Sequence, residues 1–401
     1  MICTLLLCLT PAGNPVADYR RVDLEAVLAQ ADDGPAAAAV AALARNDADA
    51  AGLLEAAAEA ADDPTPLARL LVRRLQTERR WADAVSAAAR YGVPDALAGE
   101  APAFAKFPPA AAEGDSATVP HSGLTFAAVA AGPDGTTAEV SVIFDSGAPG
   151  VGLNDTLVEK LGLTVDRSVS RRSVVPAFGL DFPVYPVLLN ELRIGGLTLT
   201  NLPCNTGEVP DDQRAAADRL RQMTGGAEVI LGLDAFEGVA ERVAIDYTAG
   251  TIAFLREPDG ATAPPNYVRA GGGKPAARFG FGPRTVPLYI DTGSYGHILP
   301  NDVIDAAAPV KVRTYEQPWA TFSERLATAR LPDGSPADLW LGGGDFGADA
   351  DWGVVGVFGN PRNGTLTLDL TDRRVTLEDY DPAEAVYGFE PESVETIDPE
   401  D

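Results

Sequence analysis

The stretch VIFDSGAPGVGLN, residues 142–154, places an aspartate directly at the end of an apolar run. The apolar residues are typical of a buried strand, and the Ser146-Gly147 pair after Asp145 indicates an immediate tight turn. Ionisation of a carboxyl group at the end of a buried strand is costly, which makes Asp145 a candidate for chemistry. One such triplet is weak support by itself, because short motifs also arise by chance.

A second copy of this pattern lies in PLYIDTGSYGHILPND, residues 287–302, where the apolar run ends at Asp291. In both copies a hydroxyl residue and a glycine follow the aspartate, and a later glycine and leucine recur at identical offsets. The matched positions are Asp145, Ser146, Gly147, Gly150 and Leu153 in the first copy and Asp291, Thr292, Gly293, Gly296 and Leu299 in the second. Two triplets in register are hard to attribute to two unrelated Asx turns at strand ends.

Each copy is followed by a further apolar segment that contains a glycine. VILGLDAF, residues 229–236, contains Gly232, and VVGVFGN, residues 354–360, contains Gly356, so these two glycines are matched. A pair of short strands is predicted after each segment. The β-rich part of the chain is therefore predicted to be an internal duplication in which both halves keep the aspartate.

Composition limits the chemistry that is available. The formal net charge is −27, which disfavours nucleic acid and anionic membranes as partners. The chain has two histidines and three cysteines, too few for a disulfide framework, a cysteine-based zinc site or a histidine-rich metal site. No apolar stretch is long enough to span a bilayer. Hydrolytic chemistry would thus depend on carboxylates, and no metal or organic cofactor is implied.

The N-terminal segment MICTLLLCLTPAGNPVA, residues 1–17, has the apolar centre and small following residues of a signal peptide. It lacks the basic residues that usually begin such a signal, and a mis-assigned start or a short buried strand are the alternatives. The pattern favours export to a periplasmic or extracellular location, with the cytoplasm as the alternative.

Residues 18–105 are predicted to form an α-helical domain. Alanine-rich segments with Leu and Val at helical spacing are separated by Asp, Gly and Pro breakers. The predicted helices are 22–30, 36–46, 49–61, 66–79 and 81–92. Their succession is loosely similar to helical-hairpin repeats. A bundle that packs on the next domain and an array that binds a protein partner are both open.

Stretches rich in Pro, Ala and Gly at 107–123 and 256–278 are interpreted as linkers. They bound two lobes, predicted at 120–258 and 275–382, in which short Val/Ile/Leu/Thr runs alternate with Gly, Pro and Asp. The last residues, 383–401, are predicted to be an acidic tail, and its end, EPESVETIDPED (390–401), is predicted to be solvated and disordered.

Asp-Ser/Thr-Gly after an apolar strand, followed by an apolar-apolar-Gly segment, resembles the aspartic proteases of the retropepsin and pepsin class. The first half is similar to bacterial retropepsin-like domains in particular, through LNELRIGGLTLTNLPC (189–204) and ILGLDAF (230–236). The second half matches mainly at its two motifs, and the helical region lies outside the resemblance. The resemblance implies an all-β bilobal aspartic protease fold, two duplicated retropepsin-like lobes, preceded by the helical domain.

The resemblance also implies roles for individual residues. Asp145 and Asp291 would form a dyad that shares one proton and activates a water molecule. The supporting residues are Ser146, Gly147, Thr292 and Gly293 in the two loops, and Gly232 and Gly356 packed beneath them. A flap hairpin is expected in each half, at 173–185 and 316–329. The candidate substrate contacts on these hairpins are Phe178, Gly179, Trp319 and Phe322, although ordinary packing also explains the aromatic residues.

The predicted function is an aspartic endopeptidase that hydrolyses an extended polypeptide. A monomer would suffice, because the duplication supplies both loops in one chain. The alternative is a catalytically inactive peptide- or partner-binding protein on the same fold. A carboxylate-based glycosidase ranks last, because it would not need a hydroxyl residue and a glycine after each aspartate.

Overall fold

The computed structural model has a helical region followed by two β-rich lobes. The described residues are 14–94, 99–114, 116–175, 179–257, 263–294, 296–317, 320–344, 352–385 and 391–397. Most of the predicted signal peptide, residues 1–13, therefore lies outside the described residues, as do the tips of both predicted flaps.

The helical region begins with short helices and continues with longer ones. Its helices are α1 (Pro15–Arg20), α2 (Leu24–Ala29), α3 (Pro35–Arg45), α4 (Ala50–Ala60), α5 (Thr65–Thr77), α6 (Trp81–Tyr91) and α7 (Ala101–Phe104). Helices α2 to α6 correspond to the five predicted ones. Helices α1 and α7 were not predicted, because six and four residues are too few to reveal a helical repeat. Proline starts α3, and Gly92 ends α6 in the left-handed conformation, as the breakers predicted.

Successive helices pack on one another, α3 on α4, α4 on α5 and α5 on α6. Leu67, Leu71 and Leu75 lie at helical spacing on the buried face of α5. The apolar core of the helices is completed by residues of the second lobe, which include Val268 and Ala276. The helical region therefore packs on the second lobe. None of the helices in the described part of the chain has the length and apolar character needed to cross a bilayer.

The first lobe is built on a closed six-stranded barrel. Its elements are β1 (Ala111–Glu113), β2 (Ala117–Pro120), β3 (Thr125–Ala131), β4 (Thr137–Asp145), β5 (Val151–Leu153), α8 (Asp155–Lys160), β6 (Arg171–Val175), β7 (Leu180–Ile194), β8 (Leu197–Gly207), α9 (Arg214–Met223), β9 (Val229–Gly232), β10 (Arg242–Asp246) and β11 (Thr251–Leu255). The barrel order is β3-β4-β9-β5-β8-β7, and β7 pairs back onto β3.

The second lobe repeats the first. Its elements are β12 (Tyr267–Arg269), β13 (Pro275–Phe281), β14 (Arg284–Ile290), β15 (His297–Leu299), α10 (Asn301–Ala306), β16 (Lys311–Gln317), β17 (Ala320–Arg330), β18 (Pro336–Gly343), β19 (Gly356–Phe358), β20 (Thr365–Asp369), β21 (Arg374–Glu378) and β22 (Ser393–Thr396). The barrel order is β13-β14-β19-β15-β18-β17, and β17 pairs back onto β13. Because the two orders match strand for strand, the predicted duplication and the bilobal fold are confirmed.

A separate sheet joins the two lobes. Its order is β2-β11-β10-β20-β21, so three strands come from the first lobe and two from the second. The junction is the antiparallel pair β10–β20, in which Ala244 lies opposite Thr367. Val243, Ile245, Leu366 and Leu368 are fully buried there and belong to one apolar core that runs through both lobes. The lobes are therefore fixed to each other by continuous hydrogen bonding and by a shared core.

The structure differs from the sequence interpretation at the supposed linkers and tail. The stretch at 107–123 contributes β1 and β2, and the stretch at 256–278 contributes β12 and the start of β13. Part of the predicted disordered tail is β22, which pairs antiparallel with β16. These short strands carry no pattern of their own, because each takes its conformation from a longer strand beside it.

A buried ion-pair network holds the β16–β17 hairpin to the second lobe. Arg313 on β16 and Glu324 on β17 form a salt bridge of 2.6 Å, and each side chain is only 2% exposed. Arg362 forms a second ion pair with the same carboxylate, at 2.7 Å. The Arg313 guanidinium also lies 4.0 Å from the centre of the Trp340 ring. Removal of one partner would leave an uncompensated buried charge.

We expect Glu324→Gln to loosen this hairpin, because the neutral amide removes the carboxylate that forms a salt bridge with the buried Arg313 guanidinium. The free energy of opening the hairpin should fall by about 3–5 kcal/mol. Amide hydrogen exchange of β16 and β17 measures this free energy. Glu316→Gln, the same substitution at an exposed position of β16, is the control. Equal exchange rates in the two variants would contradict a stabilising role for the network.

Candidate active site

Both aspartates of the repeated motif lie where a barrel strand meets the boundary between the lobes. Asp145 is the last residue of β4, and Asp291 directly follows β14. Parallel pairing with β9 places Asp145 opposite Gly232, and parallel pairing with β19 holds β14 in the same way. Both carboxylates therefore lie at the ends of strands that are hydrogen-bonded to a neighbour on each side.

The two loops are tied to each other by reciprocal hydrogen bonds. The backbone N–H of Ser146 donates to Oγ1 of Thr292 at 3.0 Å, and the N–H of Thr292 donates to Oγ of Ser146 at 3.0 Å. The Ser146 hydroxyl donates to the carbonyl of Ile290 at 2.8 Å, and the Thr292 hydroxyl donates to that of Phe144 at 3.4 Å. Ser146 and Thr292 are only 1% and 2% exposed. The structure thus brings together Ser146 and Thr292, two of the residues that the resemblance implies support the loops.

The glycines of the two triplets make room for the opposing carboxyl groups. A Cβ atom on Gly147 would overlap the carboxyl group of Asp291, and one on Gly293 would lie 2.5 Å from Cγ of Asp145. Each glycine N–H also donates to the aspartate of its own loop, at 2.8 Å for Gly147 and 3.1 Å for Gly293. The two carboxyl groups therefore face each other across a space that only glycine leaves open.

The environment favours a proton on this pair of carboxyl groups. Burial, the nearby charge of Asp291 and a hydrogen bond with its carboxyl group together raise the pKa of Asp145 to about 8. The N–H of Gly147 and the positive charge of Lys274 oppose this rise in pKa. The environment therefore favours the protonated form of Asp145 beside Asp291.

Beneath the loops, one predicted glycine lies as expected and the other does not. Gly232 donates its N–H to the carbonyl of Gly150 at 2.8 Å, and a Cβ there would overlap the carbonyls of the first loop. In the second lobe the matching contact, with the carbonyl of Gly296, belongs to Gly359. Gly356 lies three residues earlier, against Ile298 of β15. The match of Gly356 with Gly232 was wrong because the segment 354–359 contains two consecutive apolar-apolar-Gly patterns, and only strand register separates them.

A hairpin occupies the predicted flap position in each lobe. Strands β6 and β7 form the first hairpin, and strands β16 and β17 form the second. Phe178 and Trp319 lie outside the described residues. Gly179 is exposed at the base of the first tip with a φ of +63°, and Phe322 stacks on Tyr315 with ring centres 5.0 Å apart. The contact of these residues with substrate stays a prediction.

Two residues near the site, His297 and Lys274, are not among the predicted site residues. His297 is 3% exposed and stacks on Phe358, and burial lowers its pKa to about 3. Lys274 was not singled out, because it lies in the stretch interpreted as a linker. Its charge acts on Asp145, and its Nζ atom lies 5.3 Å from the ring centre of Tyr289. No sequence pattern marks a lone lysine in a glycine-rich stretch as part of a site.

A family model matches part of the first lobe. Residues 129–235, which contain the first loop and its underlying glycine, match the family model described as aspartyl protease. The crystal structure of basic 7S globulin from soybean matches over 66% of this chain and 95% of its own, with 10% identity and a TM-score of 0.41. No curated protein matches the chain. From the family match of the first lobe and the bilobal fold of the β region, the chain is a protein similar to the retropepsin- and pepsin-like aspartic proteases.

Proposed function

We propose that this protein is an aspartic endopeptidase in which Asp145 and Asp291 form the catalytic dyad. The observation that carries the proposal is the pair of facing carboxyl groups, one from each lobe, held by reciprocal hydrogen bonds between Ser146 and Thr292. A purely structural Asp-Ser/Thr-Gly turn would not need the second carboxyl group within reach of the first. The raised pKa of Asp145 supports a single proton shared by the pair, which this chemistry requires.

The proposed reaction uses both protonation states of the dyad. The ionised aspartate accepts a proton from a water molecule, which attacks the carbonyl carbon of the scissile peptide. The protonated aspartate donates a hydrogen bond to the carbonyl oxygen and stabilises the oxyanion that forms. Collapse of the tetrahedral intermediate breaks the C–N bond, and a proton from the dyad passes to the leaving amine. Because the proton is shared, neither role is assigned permanently to one aspartate.

The proposed substrate is a polypeptide bound in extended form between the lobes. Its backbone would lie over the dyad and under the two hairpins, β6–β7 and β16–β17. One chain carries both aspartates, so we propose that a monomer is sufficient for activity. Export from the cytoplasm and binding of a protein partner by the helices remain proposals that rest on the sequence.

Asp145→Asn and Asp291→Asn should each lower kcat by about 10³-fold or more, because the amide can neither accept the proton of the water nor share one. Hydrolysis of a mixed peptide library measures the effect. The chain offers matched controls, Asp155→Asn and Asp302→Asn, at exposed aspartates that open α8 and α10 at nearly equivalent positions of the duplication. Activity that survives in either dyad variant would contradict a shared site. A folded wild type without any cleavage would favour the inactive binding protein.

The activity should persist at neutral pH and fall at alkaline pH. As the pH rises through the pKa of Asp145, about 8, the shared proton is lost and both carboxyl groups ionise, so no donor remains for the oxyanion. The rate should then fall about tenfold per pH unit. Lys274→Gln should move this decline to higher pH, because the lysine charge lowers the pKa of Asp145. Lys160→Gln, at an exposed position of α8, is the control. A decline in the same place for all three proteins would rule out Lys274 as a determinant.

Gly147→Ala should lower kcat by about 10²-fold or more, because the new Cβ would displace the carboxyl group of Asp291 from its partner. Gly152→Ala is the matched control, since a Cβ there would meet the side chain of Ile230 at an ordinary 3.6 Å. Steady-state kinetics and unfolding curves of both variants separate activity from stability. Full activity of Gly147→Ala would mean that the two carboxyl groups do not need their present spacing.

A further inference from the structure

Arg79 has a backbone conformation that its residue type disfavours. It follows α5 with a φ of +57°, and the N–H of Arg80 donates to the carbonyl of Leu75 at 2.8 Å. This is the helix-ending position that glycine usually occupies, because a Cβ in the left-handed region is strained. A strained residue persists where the surrounding structure over-determines its conformation, as contacts of its side chain can do. The side chain of Arg79 is therefore the feature to explain.

The Arg79 guanidinium reaches from the helical region into the first lobe. Its Nη2 atom donates to the backbone carbonyls of Asp234, at 3.1 Å, and Ala235. These carbonyls belong to the 3₁₀ turn Leu233–Phe236, which follows β9 directly. Carbonyl oxygens bear only partial charges, so this contact fixes the path of the backbone and does not act as an ordinary ion pair.

The turn that Arg79 holds lies against the first catalytic loop. Gly232, which precedes the turn, lies opposite Asp145 in the β4–β9 register and donates its N–H to Gly150. At the other end of the turn, the ring of Phe236 lies 6.1 Å from that of Phe144, the residue before Asp145. A shift of the turn would therefore pass to Asp145 from both sides, through the strand pair and through the packed rings.

The same turn is held from the second lobe by ion pairs. Arg269 contacts Asp234 at 3.1 Å, and Arg373 contacts Glu237 at 2.9 Å. Arg373 also donates to Asn46 of the helical region at 3.0 Å. The helical region, the first lobe and the second lobe thus meet at one cluster. Within this cluster, the Arg79 contact is the link that comes from the helical region to the turn itself.

We propose that Arg79 is a positioning residue for the dyad, so that the helical region is a working part of the catalytic unit. This inference rests on the proposed function. Arg79 does not touch substrate or the reacting atoms. Arg79 fixes the 3₁₀ turn, and the turn fixes Gly232 and Phe144. These two residues then set the position of Asp145 relative to Asp291.

The test uses three variants of the full chain. Arg79→Gly removes the side chain and also relieves the left-handed backbone, so that folding is not compromised by strain. Arg79→Lys keeps the positive charge and a single donor nitrogen. Arg90→Ala, at an exposed arginine of α6 that pairs with Glu55 and Glu59, is the control. The readouts are kcat, KM, the pH dependence of kcat, and amide hydrogen exchange of the segments 145–150 and 232–236.

Arg79→Gly should lower kcat about 10- to 100-fold with little change in KM, and should move the alkaline decline of kcat, because the two carboxyl groups lose their fixed spacing. Arg79→Lys should recover part of kcat. Arg79→Gly should also speed exchange in both segments, whereas Arg90→Ala should leave kcat and exchange unchanged. Unchanged kcat, pH profile and exchange in Arg79→Gly would overturn the proposal, and so would equal effects in Arg90→Ala.

The exchange readout separates this proposal from the proposed function. If the wild type cleaves no peptide but Arg79→Gly still speeds exchange at 145–150, the endopeptidase proposal fails and the positioning role stands. If the wild type is active and Arg79→Gly behaves like the wild type in every readout, the positioning role fails and the endopeptidase proposal stands.

Discussion

The reciprocal hydrogen bonds between Ser146 and Thr292 set the distance between the two lobes at the site. Each hydroxyl accepts a hydrogen bond from the backbone N–H of the hydroxyl residue in the other loop. Each also donates a hydrogen bond to the carbonyl of the residue just before the aspartate of that other loop. All four groups are buried, so the loss of one hydroxyl would leave a buried N–H without its acceptor. Since the lobes are also joined through β10 and β20, the loops cannot separate without opening the core beneath them. The carboxyl groups are therefore placed by two connections at different depths.

The two halves keep the same barrel but support their loops in different ways. In the second lobe, the N–H of Asn360, just after Gly359, donates to the carbonyl of Ser294 in the adjacent loop at 3.1 Å. In the first lobe the corresponding turn is contacted by arginines from outside that lobe, including Arg79 and Arg269. Duplication explains this difference. The two lobes of a single chain do not need identical sequences, so each loop can be stabilised by its own set of contacts.

The sequence predicted what depends on repetition and missed what depends on pairing. The equal offsets after Asp145 and Asp291 predicted two equivalent loops. The helical spacing of Leu and Val in the alanine-rich segments predicted α2 to α6. Strands β12 and β22 were missed because three or four residues show no alternation, and they form only beside β13 and β16. The glycine match failed for a related reason, since strand register, which sequence does not fix locally, selects Gly359 over Gly356.

The charges around the dyad were also beyond the sequence, because they come from distant segments. Lys274 acts on Asp145 from the stretch before β13, and Arg79 approaches its turn from the end of α5. The left-handed backbone conformation of Arg79 at the end of α5 is seen only in the structure, because the sequence around it is that of an ordinary helix terminus. Contacts of this kind come from distant segments, so a motif predicts the chemistry but not the groups that surround it.

The missing Cβ atoms of Gly147 and Gly293 connect the geometry of the site to its protonation. Each absent atom leaves the space that the opposite carboxyl group fills, so the two acids approach more closely than any other residue there would allow. Proximity adds the charge of Asp291 and its hydrogen bond to the effect of burial, and all three raise the pKa of Asp145. The raised pKa of Asp145 is therefore a consequence of loop geometry. If Arg79 positions the two carboxyl groups as proposed, a change at Arg79 or at Thr292 that moves either loop would alter the protonation of Asp145 together with the spacing of the pair.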